Sequence, residues 1–189
     1  VRHRLAAALC LDGGAEVGDS LGHGGGGHGN DGVGGDAGLA HFQRPGADHA
    51  DNAGQIQGYA EDSSTGCVVR LGSSGAAFNM YGGTLKMLVG TESQASSGGC
   101  VYQASSTTFV MNGGVITGGN AKSFGGNLFI SEGATAELLG GTITGGKSST
   151  SGGNISNAGT LTIDGCTITG GSGTYGGNIR NTETSTLNL

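Results

Sequence analysis

Gly125-Gly126-Asn127-Leu128-Phe129-Ile130, then, past one turn, Thr135-Ala136-Glu137-Leu138-Leu139-Gly140-Gly141-Thr142-Ile143-Thr144, is the stretch that decides the fold. It holds three short runs in which apolar and polar residues alternate: Asn127–Ile130, Thr135–Leu139 and Thr142–Thr144. Runs this short with a period of two are strands, because a helix needs more residues to present a face. Gly, Ser and Glu-Gly turns separate them.

The stretch recurs in both directions along the chain. Its opening returns as Gly98-Gly99-Cys100-Val101, Gly152-Gly153-Asn154-Ile155 and Gly176-Gly177-Asn178-Ile179, with a degenerate copy at Thr65-Gly66-Cys67-Val68. From Cys67 the steps are 33, 27, 27 and 24 residues. A second series interleaves with it: Met80-Tyr81-Gly82-Gly83-Thr84-Leu85, Met111-Asn112-Gly113-Gly114-Val115-Ile116, Leu138 to Ile143, and Ile163-Asp164-Gly165-Cys166-Thr167-Ile168. Two phase-locked series at one period are the signature of a solenoid. The expected fold is all-β, a right-handed parallel β-helix over 61–189. It has about four and a half coils of about 27 residues and three strands per coil.

Stacking the copies predicts columns of like residues in the core. They are Val68, Val101, Leu128, Ile155, Ile179; Phe78, Phe109, Ala136, Leu161; Met80, Met111, Leu138, Ile163; and Leu85, Ile116, Ile143, Ile168. No coil is stable alone, and each gains by burying its inner face on the next. The glycine doublets suit corners, where a left-handed φ or a close approach excludes a Cβ. Asn127, Asn154 and Asn178 fall at one corner, where their amides are expected to form a structural ladder along the stack.

This pattern resembles the right-handed β-helix repeats of bacterial surface proteins, within the broad pectin-lyase-like fold group. It is also similar to the repeats of the polymorphic outer-membrane protein family, which carry GGA[ILV] and FxxN motifs. Gly125-Gly126-Asn127-Leu128 and its copies match the first with Asn or Cys in place of Ala, and Phe109-Val110-Met111-Asn112 matches the second. The resemblance spans roughly 66–189 and implies a secreted or cell-surface, adhesin-type module.

Residues 1–60 differ in character. They hold 16 Gly, all five His (His3, His23, His28, His41, His49), the single Pro, and 3 Arg against 7 Asp and Glu, with no sustained apolar period. Such a segment buries too little apolar surface to offset chain entropy. It is expected to be a disordered, low-complexity segment, apart from a short helical turn over Leu5–Leu9. Gly26-Gly27-His28-Gly29-Asn30-Asp31-Gly32-Val33 matches one calcium-binding nonapeptide. That type of site is built between successive copies, and the next residues break the register. No metal or cofactor is therefore expected.

The net charge of −6 argues against nucleic acid, whose phosphates call for clustered Lys and Arg. No apolar run approaches the length of a membrane span. The seven acids of 61–189 are Glu61, Asp62, Glu92, Glu132, Glu137, Asp164 and Glu183, and none recurs in one column of adjacent coils. Paired carboxylates for glycoside hydrolysis are thus not indicated. Cys67 and Cys100 are expected in one column, as buried thiols or as a disulfide.

The outward positions Thr142, Thr144, Thr167 and Thr169, with Thr117 one coil earlier, form a candidate binding face. Flat Thr-x-Thr arrays of this kind resemble the ice-binding face of some β-solenoid antifreeze proteins, although Thr is also a favoured strand residue. The leading functional expectation is a non-enzymatic extracellular module that binds glycan or protein along its flank. A polysaccharide-active enzyme and an ice-binding solenoid are the alternatives. The run Thr186-Leu187-Asn188-Leu189 matches only part of a coil. An edge of that kind is expected to promote self-association.

Overall fold

The computed structural model describes residues 68–87 and 95–189, together with the backbone of four short strands nearer the N-terminus. Those four are β1 (Leu9–Leu11), β2 (Gly14–Glu16), β3 (His41–Phe42) and β4 (Gln55–Gly58). The chain then winds in coils. The first holds β5 (Val69–Leu71), β6 (Ala77–Met80), β7 (Thr84–Met87) and β8 (Ala95–Ser97). The second holds β9 (Val101–Gln103), β10 (Thr108–Met111), β11 (Val115–Thr117) and β12 (Asn120–Phe124). The third holds β13 (Leu128–Ile130), β14 (Thr135–Leu138), β15 (Thr142–Thr144) and β16 (Lys147–Ser148). The fourth holds β17 (Ile155–Asn157), β18 (Thr160–Ile163) and β19 (Thr167–Thr169), and β20 (Ile179–Asn181) and β21 (Thr186–Asn188) follow.

Each strand pairs in parallel with its counterpart one coil away, and four sheets run along the stack. The described residues contain no helix. The chain is a parallel β-solenoid of about four turns. The first sheet carries the ladder Val69, Val101, Leu128, Ile155, Ile179. The second stacks Phe78, Phe109, Ala136, Leu161 and Met80, Met111, Leu138, Ile163. The third stacks Leu85, Ile116, Ile143, Ile168. Most of these side chains are buried outright, and the rings of Phe78 and Phe109 lie 5.4 Å apart and nearly parallel. Burying a Leu, Ile or Phe side chain is worth about 1.5–3 kcal/mol. The columns therefore carry most of the stabilisation between coils.

Two details differ from the sequence reading. The first column begins with Val69, and Val68 lies level with Cys100. Both valines are apolar and both are buried, so alternation gives no phase at that point. Each of the first three coils also has a fourth strand. Its inward residues are Ala95, Ala121 and Ser148, too small to register as an apolar run.

The glycine doublets serve two purposes. Gly125 has a φ of +61°, which turns the chain from the fourth sheet into the first. A Cβ on Gly126 would strike the backbone of Gly153 and Lys147 from the next coil. The first glycine thus answers to conformation and the second to close stacking. At the corner after the first sheet, Gly75, Ser106 and Gly133 all have left-handed φ, and Ser106 is the single non-glycine among the described residues to do so. A side chain there costs about 1–2 kcal/mol. Ser106→Gly is therefore expected to raise stability by about 1 kcal/mol, read as a higher urea midpoint at unchanged slope.

The expectation for residues 1–60 falls largely outside the described residues, as does the whole nonapeptide at 26–33. Within that segment, β1 pairs with β5, β2 and β3 with β6, and β4 with β7. Leu9, at the end of the expected helical turn, is the first residue of β1.

Candidate functional site

The third sheet brings all five threonines onto one outward face. Thr142 and Thr167 continue a row from Thr84 and Val115, and Thr117, Thr144 and Thr169 continue a row from Lys86. Their inward neighbours Leu85, Ile116 and Ile143 are fully buried, which fixes the outward direction. Val115 and Lys86 interrupt the hydroxyl array. A shallow depression of about 280 Å³ opens beside it, lined by Gly118, Gly119, Asn120, Gly145 and Lys147.

At the corner between the fourth and first sheets, the asparagines form a continuous ladder. The Asn127 amide donates to Asn154 Oδ1 at 2.8 Å and to the Thr144 carbonyl at 2.9 Å. The Asn154 amide donates to Asn178 Oδ1 at 2.9 Å and to the Thr169 carbonyl at 2.8 Å. In return, Asn127, Asn154 and Asn178 accept from the backbone N–H groups of Gly119, Gly146 and Gly171, each at 2.8 Å. Asn127 and Asn154 are fully buried. Satisfied on both sides, these amides hold the corner; they do not present it to a ligand.

Cys100 occupies the next rung of this ladder. Its thiol donates to Asn127 Oδ1 at 3.4 Å and to the Thr117 carbonyl at 3.3 Å. It is free and buried, and Cys67 lies outside the described residues. Burial pushes the Cys100 thiol up to about 12, and burial pushes the half-buried Cys166 up to about 11. An unfolded thiol releases its proton near 9 while the folded one keeps it. The native state then binds more protons, so the thiols' contribution is full below pH 9 and falls as pH rises toward 12. Cys100→Asn is expected to supply a carboxamide with stronger hydrogen bonds than the thiol. It is therefore expected to raise the melting temperature and flatten the alkaline decline. A lower melting temperature at pH 7 would show that the rung cannot take an amide.

Sequence reasoning missed three features. Asn157 and Asn181 form a second ladder, with the Asn157 amide donating to Asn181 Oδ1 at 2.7 Å and to the Thr186 carbonyl at 2.9 Å. The repeated Asn-Ile-x-Asn of 154–157 and 178–181 carried that signal. Gln103, in the same column, is fully buried between Leu71 and Ile130, and its Oε1 has no hydrogen-bond partner.

The third missed feature is an outward row on the first sheet: Arg70, Tyr102, Phe129, Ser156, Arg180. The Arg70 guanidinium lies 5.7 Å from the centre of the Tyr102 ring. Tyr102 stacks on Phe129 at 5.5 Å, and Phe129 on Phe124 of the fourth sheet at 5.9 Å. These residues follow the inward Val69, Val101 and Leu128 directly in sequence, so their outward placement was legible once the register was known.

No family model, curated protein or solved structure matches the chain significantly. The flanks must therefore be interpreted from their own chemistry. Glu137 lies level with Val110 and Thr162, and Asp164 sits in the turn after β18. Among the described residues no three His, Cys, Asp or Glu side chains gather into a metal-holding group. Among them, too, no helix is long and apolar enough to cross a membrane.

Proposed function

We propose that this protein is a non-enzymatic binding module that acts outside the cell or at its surface, engaging glycan or protein along a flank of the solenoid. The observation that carries this reading is the continuity of the outer rows. Residues from successive coils line up at about 4.8 Å spacing on rigid sheets, which presents an extended, repetitive ligand with an extended, repetitive surface. Pre-ordered rows lose little entropy on binding. The adhesin-type resemblance of the Gly-Gly-Asn repeats points the same way.

The test is a binding screen against glycan and surface-protein panels, run beside a coupled assay for newly formed reducing or unsaturated sugar ends. Saturable binding without release of sugar ends is the expected result. Release of such ends would move the protein to the polysaccharide-active class. Fractionation of expressing cells is expected to place the protein in the medium or on the surface, and retention in the cytosol would contradict that part.

The threonine face favours a second reading, an ice-binding solenoid, because Thr142, Thr144, Thr167 and Thr169 form a flat two-by-two array. Thermal hysteresis that disappears in Thr144→Lys would establish it.

A further inference from the structure

Within residues 68–87 and 95–189, charge is segregated around the cross-section of the coils. The four acids of these residues occupy one arc. Glu132 and Glu183 lie in turns between the first and second sheets, Glu137 on the second sheet, and Asp164 in the turn from the second sheet to the third. The five cations occupy the rest: Arg70 and Arg180 on the first sheet, Lys86 on the third, Lys122 and Lys147 on the fourth. A chain of net charge −6 thus carries a flank on which the described charges are all positive.

Two of the three exposed aromatic rings, Phe124 and Tyr175, lie on that flank, and the third, Tyr81, lies in the turn from the second sheet to the third. The stack of Phe124 on Phe129 bridges the corner between the fourth and first sheets, so the outer surfaces of the two sheets are continuous there. Phe124 is 38% exposed, and Tyr175, two coils further along the same row, is 66% exposed. Rings set along one row beside cations present apolar faces and positive charge to the same ligand. A neutral protein surface would gain nothing from the cations, and an acidic peptide would gain little from rings spaced along one axis.

We infer that the joined first and fourth sheets bind a linear anionic glycan lying along the solenoid axis, its carboxylate or sulfate groups on Arg70, Lys147 and Arg180 and its sugar C–H faces against Phe124 and Tyr175. This rests on the reading of the protein as a flank-binding module and specifies the flank and the ligand. The cations draw the polymer in and set its position. The aromatic surface distinguishes a sugar chain from other polyanions.

The experiment is calorimetric titration of the full chain with hyaluronate (carboxylate only), dextran sulfate (sulfate only), neutral dextran and inorganic polyphosphate. The expected result is binding to at least one anionic glycan and none to neutral dextran. Affinity should fall at least about tenfold between low and high salt, because exposed ion pairs are screened. The paired change Lys147→Glu with Arg180→Glu should remove binding, while Glu137→Lys on the opposite arc leaves it intact. Phe124→Ser with Tyr175→Ser should weaken glycan binding and leave polyphosphate unaffected. Circular dichroism melts of each variant distinguish lost contacts from lost folding. Four outcomes overturn the inference. Equal binding of neutral dextran, or binding abolished by changes on the threonine face, would sink it while leaving a flank-binding module. Polyphosphate bound as tightly as glycan, with no effect of the aromatic changes, would show a general polyanion surface. No binding of either anionic glycan would overturn it outright, and the glycan and protein panels then decide the broader reading separately.

Discussion

Replacing Ile143 by Asp is expected to abolish cooperative folding of the coils. Ile143 is fully buried, with Ile116 on one side and Ile168 on the other in the column of the third sheet. Asp there loses the methylene burial and sets an ionised carboxylate among aliphatic side chains with no partner. Burying an unpaired charge belongs to the rare class of substitutions that cost more than about 4 kcal/mol, a large fraction of the stability of any domain of this size. Repeat stability is a sum of neighbour interfaces, so the third coil's failure separates the coils before it from those after it. The control is Thr144→Asp, one residue away on the outer face, where the charge stays in water and the change should be within about 1 kcal/mol. A thermal melt of Ile143→Asp that matched the parent would refute the inward assignment of the whole column.

Asn154→Ala is the second substitution with a large expected effect. Asn154 is fully buried, accepts from Asn127 and Gly146, and donates to Asn178 and the Thr169 carbonyl. Its loss leaves two donors, the Asn127 amide and the Gly146 N–H, without that acceptor, and takes one of two hydrogen bonds from Asn178 Oδ1 and from the Thr169 carbonyl. Each buried group so orphaned costs about 1–3 kcal/mol, partly recovered where water can enter. The expected loss is about 3–5 kcal/mol. Asn178→Ala removes an exposed rung and should cost less than half as much. Equal urea midpoints for the two variants would show that the ladder contributes no more in the interior than at its exposed end.

The fold was legible because the stacked positions repeat chemically. Leu85, Ile116, Ile143 and Ile168 are aliphatic at the same phase of each repeat, and the doublets before Asn127, Asn154 and Asn178 mark one corner. What escaped is what small or polar residues do. The fourth strand turns Ala95, Ala121 and Ser148 inward, which hydropathy cannot distinguish from a loop. Val68 and Val69 gave two equivalent phases, and only the pairing of β5 with β9 separates them. The threonine face was readable from alternation alone. The charge separation and the aromatic row were not, since both depend on which sheet each residue joins. Glu132, Lys147 and Arg180 are far apart in sequence, and only the winding of the coils sorts them onto opposite arcs.

These features rest on one claim, that successive coils stack in the register that sets Thr144 beside Thr169. Disulfide trapping tests it most directly. Neighbouring parallel strands lie about 4.8 Å apart, inside the range of roughly 4.4–6.8 Å between Cα atoms that a disulfide spans. With the native cysteines replaced, Thr144→Cys combined with Thr169→Cys should cross-link within one chain under mild oxidation and raise the melting temperature. Thr144→Cys combined with Ile168→Cys should not cross-link, because the second thiol points into the core. Cross-linking of the second pair in place of the first would contradict the register, and with it the flanks on which the proposed binding depends.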